Sequence, residues 1–240
     1  MITSASRSPD AEPAIPGPAT WGWVPVRSLA PRHRERILAH LLALDPASRY
    51  LRFGYQASDA QVSRYVDSID FQRDEAFGVF NRRLELVAMA HLAYRLEGDG
   101  GKDGPPTAEF GVSVLPSARR RGFGGRLFEH AMLHARNRHV QTLVIHALSE
   151  NGPMLALARR FGATLDRQGS ETDARLRLPP DTLSSHLDQL LGDQAAEFDY
   201  RLKWRAHQVD GRLRATGPAR GTPANARVDE DEAEAPAGAG

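Results

Sequence analysis

Cysteine is absent from the 240 residues, which excludes a disulfide framework and a thiol nucleophile and suits a reducing compartment. An excess of one charge is missing too, since 31 Lys and Arg against 30 Asp and Glu give a net charge of +1. No apolar run approaches the length of a membrane span, and the N-terminus has no apolar signal core. We therefore expect a cytoplasmic protein that has no general attraction to nucleic acid or membranes.

What the chain does contain is enough apolar sequence for a core, at 41% hydrophobic residues. Composition divides it into four parts. Residues 1–20 are rich in proline and predict a disordered leader, and residues 21–180 predict the folded domain. Residues 181–210 carry a leucine stripe at helical spacing and predict a C-terminal helix, which can pack on the domain or join two copies as a homodimer. Residues 211–240, with their acidic run, predict a disordered tail.

One stretch, from Thr107 to Leu165, organises the folded part. An alternating apolar run ends at Leu115 and predicts a strand. A basic, glycine-rich turn follows, and then an amphipathic helix. The residues from Val140 to Ala147 predict a second strand, and Asn151 opens another helix.

The rest of the folded part predicts further strands and helices. Apolar alternation indicates strands at 23–29, 76–80, 84–95, 163–168 and 173–178, with the second and third joined as a hairpin. The 84–95 strand is apolar on both faces, so we expect it in the middle of a covered sheet. Helices are predicted to begin at Pro31 and at Ser58 or Asp59. We interpret residues 46–55 as a loop anchored by aromatic side chains, and the alternative is one wall of an acceptor pocket.

The basic turn can bind phosphate on chemical grounds. Backbone amides at a helix start are unpaired and partly positive, and glycines let them approach a ligand closely. Arginine adds a planar fork suited to phosphate oxygens. A solvated basic turn is the competing interpretation, and the turn alone does not decide between them. The turn is not a Walker A loop, because no Lys-Ser/Thr follows the glycines, and Leu127 stands where a dinucleotide fingerprint needs its third glycine.

Arg119-x-x-Gly122-x-Gly124 after an apolar strand resembles the acetyl-CoA signature of the GNAT superfamily of N-acetyltransferases. The strand–turn–helix–strand order and the later Asn151 and Gly162 strengthen the resemblance, which covers roughly residues 23–178. It implies an α+β GNAT fold. We therefore expect a mixed, mostly antiparallel sheet of about six or seven strands that is splayed in the middle, with helices on both faces.

The resemblance also implies acetyl-CoA as co-substrate, with its pyrophosphate on the loop amides and its pantetheine between the two strands of the central stretch. The cofactor-binding residues expected on this basis are Val112, Val114, Arg119, Arg120, Arg121, Gly122, Phe123, Gly124, Gly125, Arg126 and Asn151. No metal is expected: His130 and His134 have ligand spacing, but no acidic partner accompanies them as in His-Glu-x-x-His.

Acetyl transfer to an amine needs a base, because an amine with a pKa near 10 is mostly protonated at neutral pH. Glu109 is the candidate: it is a charge in an apolar strand, although an edge-strand carboxylate facing water explains it equally well. Its surroundings, Ala-Glu-Phe-Gly-Val-Ser-Val, resemble the strand that carries the catalytic glutamate in bacterial protein-lysine acetyltransferases. We expect an amide near Val112–Val114, freed by a bulge, to stabilise the oxyanion.

The proton donor for the leaving thiolate is not evident. Many superfamily members have a tyrosine seven residues after the asparagine, and here that position is Ala158. His146 is a secondary acid/base candidate, but we interpret it as a core histidine.

The function implied by the resemblance is acetyl transfer from acetyl-CoA to a primary amine, with a protein lysine as the acceptor. The lysine hypothesis depends on Glu109 and on the Ser48–Phe53 segment, which is similar to a Ser-Arg-Tyr-x-Arg-Phe element of the same protein-lysine acetyltransferases. The alternatives are a small-molecule amine as acceptor, and a non-catalytic acyl-CoA-binding module with a regulatory role. The basic cluster is too short to favour nucleic-acid binding.

Overall fold

A seven-stranded sheet forms the centre of the computed structural model, which describes residues 25–95, 105–180 and Ala196. The predicted leader and acidic tail lie outside the described residues, and so does the predicted C-terminal helix apart from Ala196.

The sheet is mixed and mostly antiparallel, as predicted. Its order is β1-β2-β3-β4-β5-β7-β6, and only the β4–β5 pair is parallel. The strands are β1 Arg27–Leu29, β2 Glu75–Phe80, β3 Leu86–Arg95, β4 Thr107–Val114, β5 Thr142–Leu148, β6 Thr164–Gln168 and β7 Glu171–Arg177. The hairpin prediction is confirmed, since β2 and β3 pair along their length. Every residue of β3 from Leu86 to Ala90 is buried, which confirms its place within the covered sheet.

Helices cover both faces of the sheet. They are α1 Arg34–Leu42, α2 Pro46–Phe53, α3 Asp59–Ser68, α4 Phe123–Asn137 and α5 Gly152–Arg160. The apolar sides of α4 and α5 join one core cluster with the side chains of Phe77 and Phe110. The apolar sides of α1 and α3 join a second cluster with Met89 and Phe80. None of the described helices is both long and apolar enough to cross a membrane.

The prediction of a loop over residues 46–55 was wrong, because Pro46–Phe53 forms helix α2. The Asp45 side chain accepts a hydrogen bond from the Ser48 amide at 2.9 Å and so caps the helix. Pro46 stands in the first turn, where a missing N–H costs nothing. Gly54 ends the helix at φ 80°, a conformation that favours glycine. These three residues are a full set of helix boundaries.

His40 joins helix α1 to the two central strands. Its Nδ1 lies 2.8 Å from the carbonyl oxygen of Leu86, so this nitrogen carries the proton and donates it. Its Nε2 lies 2.8 Å from Ser113 Oγ on β4 and therefore accepts the hydroxyl proton. The side chain is buried, and burial lowers the pKa of His40 to about 4.

The pH dependence of stability tests this contact. An unfolded chain protonates His40 near pH 6.5, and the folded chain does so only near pH 4. The contribution of His40 to stability is therefore complete above pH 6.5 and is lost as the pH falls toward 4. We expect the free energy of unfolding of the His40→Gln variant to fall less over this range than that of the wild type, by on the order of 3 kcal/mol.

Urea unfolding at several pH values measures the difference. The curve of the variant must be compared with that of the wild type, because burial also lowers the pKa values of His33 and His91 to about 4 and these residues contribute to both curves. His139→Asn, at an exposed position, is the control and should follow the wild-type curve. Parallel curves for wild type and His40→Gln would show that His40 does not carry this dependence.

Candidate active site

Strands β4 and β5 part in the middle of the sheet. They pair in parallel only at Thr107–Thr142, Ala108–Leu143 and Glu109–Val144. Beyond Glu109, β4 continues to pair with β3, and β5 continues to pair with β7. The sheet is therefore held together at one end and open at the other, as the splayed arrangement requires.

The backbone of β4 presents free groups to this opening. The Leu115 amide donates to the Val87 carbonyl at 3.0 Å, so Leu115 and every second residue before it bond toward β3. The N–H and C=O groups of Val112 and Val114 consequently point the other way, into the opening, where the Val114 carbonyl accepts from Arg119 Nε at 3.4 Å. The register of β4 against β3 shows no shift, so the predicted bulge is wrong. The divergence of β5 alone leaves the Val112 groups and the Val114 N–H without a strand partner.

The glycine-rich turn leads into helix α4 at the wide end of the opening. Gly122 is its N-cap residue, with φ 77°, and Arg120 also has a positive φ of 58°. Within the described part of the chain, no hydrogen bond takes up the amides from Arg120 to Gly125. These donors lie at the positive end of a 15-residue helix, which is a suitable seat for a diphosphate.

A groove of about 570 Å³ runs from this turn along β4. Of the predicted cofactor residues, it is lined by Val112, Val114, Arg119, Arg120, Gly122, Phe123, Gly124 and Asn151. The other three lie outside its lining. The Arg121 guanidinium stands 4.8 Å over the Phe123 ring, Gly125 is buried, and Arg126 pairs with Glu129 at 3.1 Å.

Arg119 and Asn151 both connect the groove to helix α2. The Arg119 guanidinium donates to Ser48 Oγ and lies 3.6 Å from Asp45, whose pKa is held below its ordinary value by hydrogen bonds from Ser48 and by Arg119. Asn151 caps α5 by accepting from the Met154 amide at 3.2 Å, and its Nδ2 donates to the Leu51 carbonyl at 3.2 Å. The cap was predicted. The bond to α2 was not, because it joins residues 100 positions apart.

The groove continues into a cleft of about 290 Å³ at the narrow end of the opening. Glu109 lies there, on the last residue of β4 that pairs with β5. Two more carboxylates, Glu171 and Asp173, line the same cleft. A further cleft of about 550 Å³ shares Glu109 and His146 with it, so both groups are reached from two sides.

The interpretation of His146 as a core histidine was wrong. Its side chain is 56% exposed, and its Nδ1 donates to Asp173 Oδ1 at 2.7 Å. That bond leaves Nε2 as the proton acceptor. In the parallel register Glu109 pairs with Val144, so Glu109, Val144 and His146 share one face of the sheet. Two acid/base groups therefore stand on the two sides of the opening, and the buried Ala158 supplies none.

Sequence reasoning did not name three residues of this site, Arg52, Glu171 and Asp173. Asp173 could not be found, because β7 lies between β5 and β6, and only the β5–β7 register sets Asp173 beside His146. Arg52 of α2 lines both the groove and the narrow cleft. The Asp-Pro start and the Gly54 end of α2 were the available signals for its position. The described residues contain no group of three or more His, Cys, Asp or Glu side chains that could hold a metal ion.

Comparisons with known proteins agree with this geometry. The profile of the Acetyltransferase (GNAT) family matches residues 40–163, more than half of the chain. No curated protein matches the chain. The GNAT domain of S. lividans PAT is 22% identical, with a TM-score of 0.54 over 64% of this chain and 89% of that one. An N-acetyltransferase from Staphylococcus aureus Mu50 is 14% identical, with a TM-score of 0.50 over 64% of this chain and 98% of that one. At these identities the two structures show a shared fold.

Gly124 offers a test of the groove. A Cβ built there meets no protein atom within 4 Å, and the residue does not have a positive φ. Gly124→Ala should therefore fold, with a free energy of unfolding equal to the wild type or up to about 1 kcal/mol higher. If a diphosphate lies against this turn, the added methyl group should weaken coenzyme A binding by about tenfold or more.

Calorimetric titration with coenzyme A, together with urea unfolding, measures both effects. Gly152→Ala, at the first position of α5 and equally free of contacts, is the matched control and should bind as the wild type does. Unchanged binding by Gly124→Ala would argue against a diphosphate at this turn.

Proposed function

Because the chain belongs to the GNAT acetyltransferase family, we propose that it transfers an acetyl group from acetyl-CoA to a primary amine, which is a protein lysine. The observation that carries the proposal is the position of Glu109. This carboxylate stands where β4 and β5 part, at the end of a groove that begins with unpaired amides. If the diphosphate lies at the amides, the thioester at the other end of acetyl-CoA would lie next to the carboxylate.

The proposed seat of acetyl-CoA follows from the free groups of the groove. The amides from Arg120 to Gly125 bind the diphosphate, with the guanidinium of Arg120 beside them. The backbone groups of Val112 and the Val114 N–H, which β5 leaves without a strand partner, bind the pantetheine amides, as a further strand would. An amide of the same strand then stabilises the oxyanion of the tetrahedral intermediate.

The reaction requires two protons to leave the amine nitrogen. Glu109 takes the first from the ammonium and passes it to water, to which its side chain is exposed. The neutral amine attacks the thioester carbonyl, and a C–N bond forms. The intermediate then loses its second proton and the C–S bond breaks, giving the amide, coenzyme A thiol and one released proton.

His146 is the proposed carrier of the second proton. Asp173 fixes its tautomer, so Nε2 can take the proton from the nitrogen and deliver it to the departing sulfur. This arrangement would serve in place of the tyrosine whose position is Ala158. Departure of the thiolate needs only modest assistance, since a thiol has a pKa of about 8.5.

A lysine acceptor fits the charge of the narrow cleft. Glu109, Glu171 and Asp173 line it, and three carboxylates attract an ammonium group. The cleft also opens toward a second, larger one, which leaves room for an extended chain on the acceptor side. The Ser48–Phe53 segment forms one wall through α2, in line with its resemblance to protein-lysine acetyltransferases. A small amine would satisfy the same carboxylates, and peptides and polyamines must therefore be compared.

Replacing the proposed base gives the first test of the function. We expect Glu109→Gln to lower kcat for amine acetylation by about 10²- to 10⁴-fold, because the isosteric amide cannot accept the proton. Coenzyme A binding should be kept, since Glu109 does not line the cofactor groove. Thiol release from acetyl-CoA, with lysine peptides and polyamines as acceptors, measures turnover.

Glu85→Gln, which changes an exposed carboxylate between β2 and β3, is the control and should retain full activity. Acetyl-CoA binding without turnover on any acceptor would favour the regulatory binding module instead. Full activity of Glu109→Gln would remove Glu109 from the mechanism while leaving the family assignment intact.

Replacing His146 tests the second proton transfer. We expect His146→Gln to lower kcat by about 10- to 100-fold at neutral pH, because glutamine cannot carry a proton to the sulfur. Asp173→Asn should have a smaller effect of the same kind, since it removes the partner that fixes the tautomer. An unchanged kcat in His146→Gln would show that the thiolate departs unaided.

A further inference from the structure

The guanidinium of Arg52 lies flat against strand β4 at Gly111. A Cβ built on Gly111 would stand 2.8 Å from Nη2 and 2.9 Å from Cζ of Arg52, so only glycine leaves room for this contact. Glu109 and Gly111 are two residues apart on β4, and their side-chain positions therefore face the same side of the sheet. The guanidinium thus stands beside the proposed base, over the strand that lines the opening.

A chain of polar contacts holds Arg52 in this place. Its Nη2 donates to the Tyr65 hydroxyl at 2.7 Å, and that hydroxyl donates to Nδ1 of His91 at 2.9 Å. Nε2 of His91 lies 3.4 Å from the buried Asp74. Burial and the charge of Arg52 lower the pKa of His91 to about 4, so it is the neutral acceptor that this chain of contacts needs. These contacts with Tyr65, His91 and Asp74 lie on one side of the guanidinium, and the other side lines the cleft.

No carboxylate neutralises Arg52 within the part of the chain that the structure describes. The tyrosine hydroxyl is its hydrogen-bond partner there, and its buried Nε has none. The Tyr65 and Phe53 rings lie 5.3 and 5.4 Å from its Cζ, but they leave the remaining N–H donors of this half-buried group for an anion. Its planar fork matches a carboxylate through two parallel hydrogen bonds.

We propose that Arg52 binds a carboxylate carried by one of the two substrates, so that the preferred donor or acceptor is an acid. The inference rests on the proposed function, because Arg52 lines both the cofactor groove and the narrow cleft. The carboxylate has two available sources. It belongs either to the acyl chain of the donor, as in a dicarboxylic acid monothioester, or to the acceptor, as in an amino acid or an acidic peptide.

The donor arm of the test compares succinyl-CoA with butyryl-CoA, which match in chain length and differ in the carboxylate. Calorimetry on the wild type should show tighter binding of succinyl-CoA by about tenfold or more, and Arg52→Gln should abolish the difference. Arg52→Lys should keep part of it, since the charge remains and the fork is lost.

The acceptor arm uses acetyl-CoA with paired acceptors: lysine peptides with glutamate or glutamine beside the lysine, and a free amino acid with its amide. The ratio of kcat/KM within each pair should favour the acid by about tenfold in the wild type and approach one in Arg52→Gln. Tyr65→Phe gives a second variant that keeps the charge and removes the hydroxyl that orients it. If Arg52→Gln does not fold, Tyr65→Phe takes its place and should lower the same ratio of kcat/KM.

A preference that appears in one arm and is lost on substitution supports the inference and names the source of the carboxylate. If acyl-CoAs bind and amines are acylated, but neither pair is discriminated, the inference is overturned and the proposed function stands. The same holds if Arg52→Gln lowers the melting temperature and affects all donors and acceptors equally, because Arg52 then only supports Tyr65. If the wild type binds no acyl-CoA, both the function and this inference fail.

Discussion

The parting of β4 from β5 after Glu109 is the constraint on which the rest of the site depends. Three paired positions hold the strands together, and beyond them each strand keeps only its outer neighbour. A strand edge inside a sheet is normally paired, since an unmet backbone group away from water costs free energy. Here the edge of β4 lines a groove, which makes its amides available to a ligand. The glycine-rich turn and Glu109 lie at the two ends of this edge, and the roles proposed for them depend on that position.

Helix α2 connects the two ends. Its N-terminal residues Asp45 and Ser48 contact Arg119 beside the phosphate turn, and its Leu51 carbonyl accepts from Asn151 at the start of α5. The residue after Leu51, Arg52, contacts β4 at Gly111. None of the residues of α2 is fully buried, and the helix is held both by polar contacts to the site elements and by the packing of Phe53 against the core. Helix α2 therefore contacts both the glycine-rich turn and strand β4.

The sequence was most informative where the pattern is local. Arg119, Gly122 and Gly124 identified the turn, and the 3.6-residue and two-residue periods predicted the flanking helix and strands, because each depends on neighbouring residues only. Helix α2 was missed although Asp45, Pro46 and Gly54 mark its limits, because the mixed aromatic and basic residues between them were interpreted as a loop. The His146–Asp173 and Arg52–Gly111 contacts could not be predicted. Both follow from strand order and helix placement, which no single segment encodes.

The charges of the site divide along the opening in a way that matches the two substrates. The wide end of the opening presents amides and arginine to an anion, whereas the narrow cleft presents Glu109, Glu171 and Asp173 to a cation. Arg52 is the exception in this acidic cleft. A guanidinium there opposes the ammonium form of a nearby amine, and a like charge lowers the pKa of such a group. Without a carboxylate partner, its charge next to Glu109 would assist deprotonation of the acceptor. A substrate carboxylate that meets the guanidinium would cancel that effect and would act instead by fixing the amine close to the base.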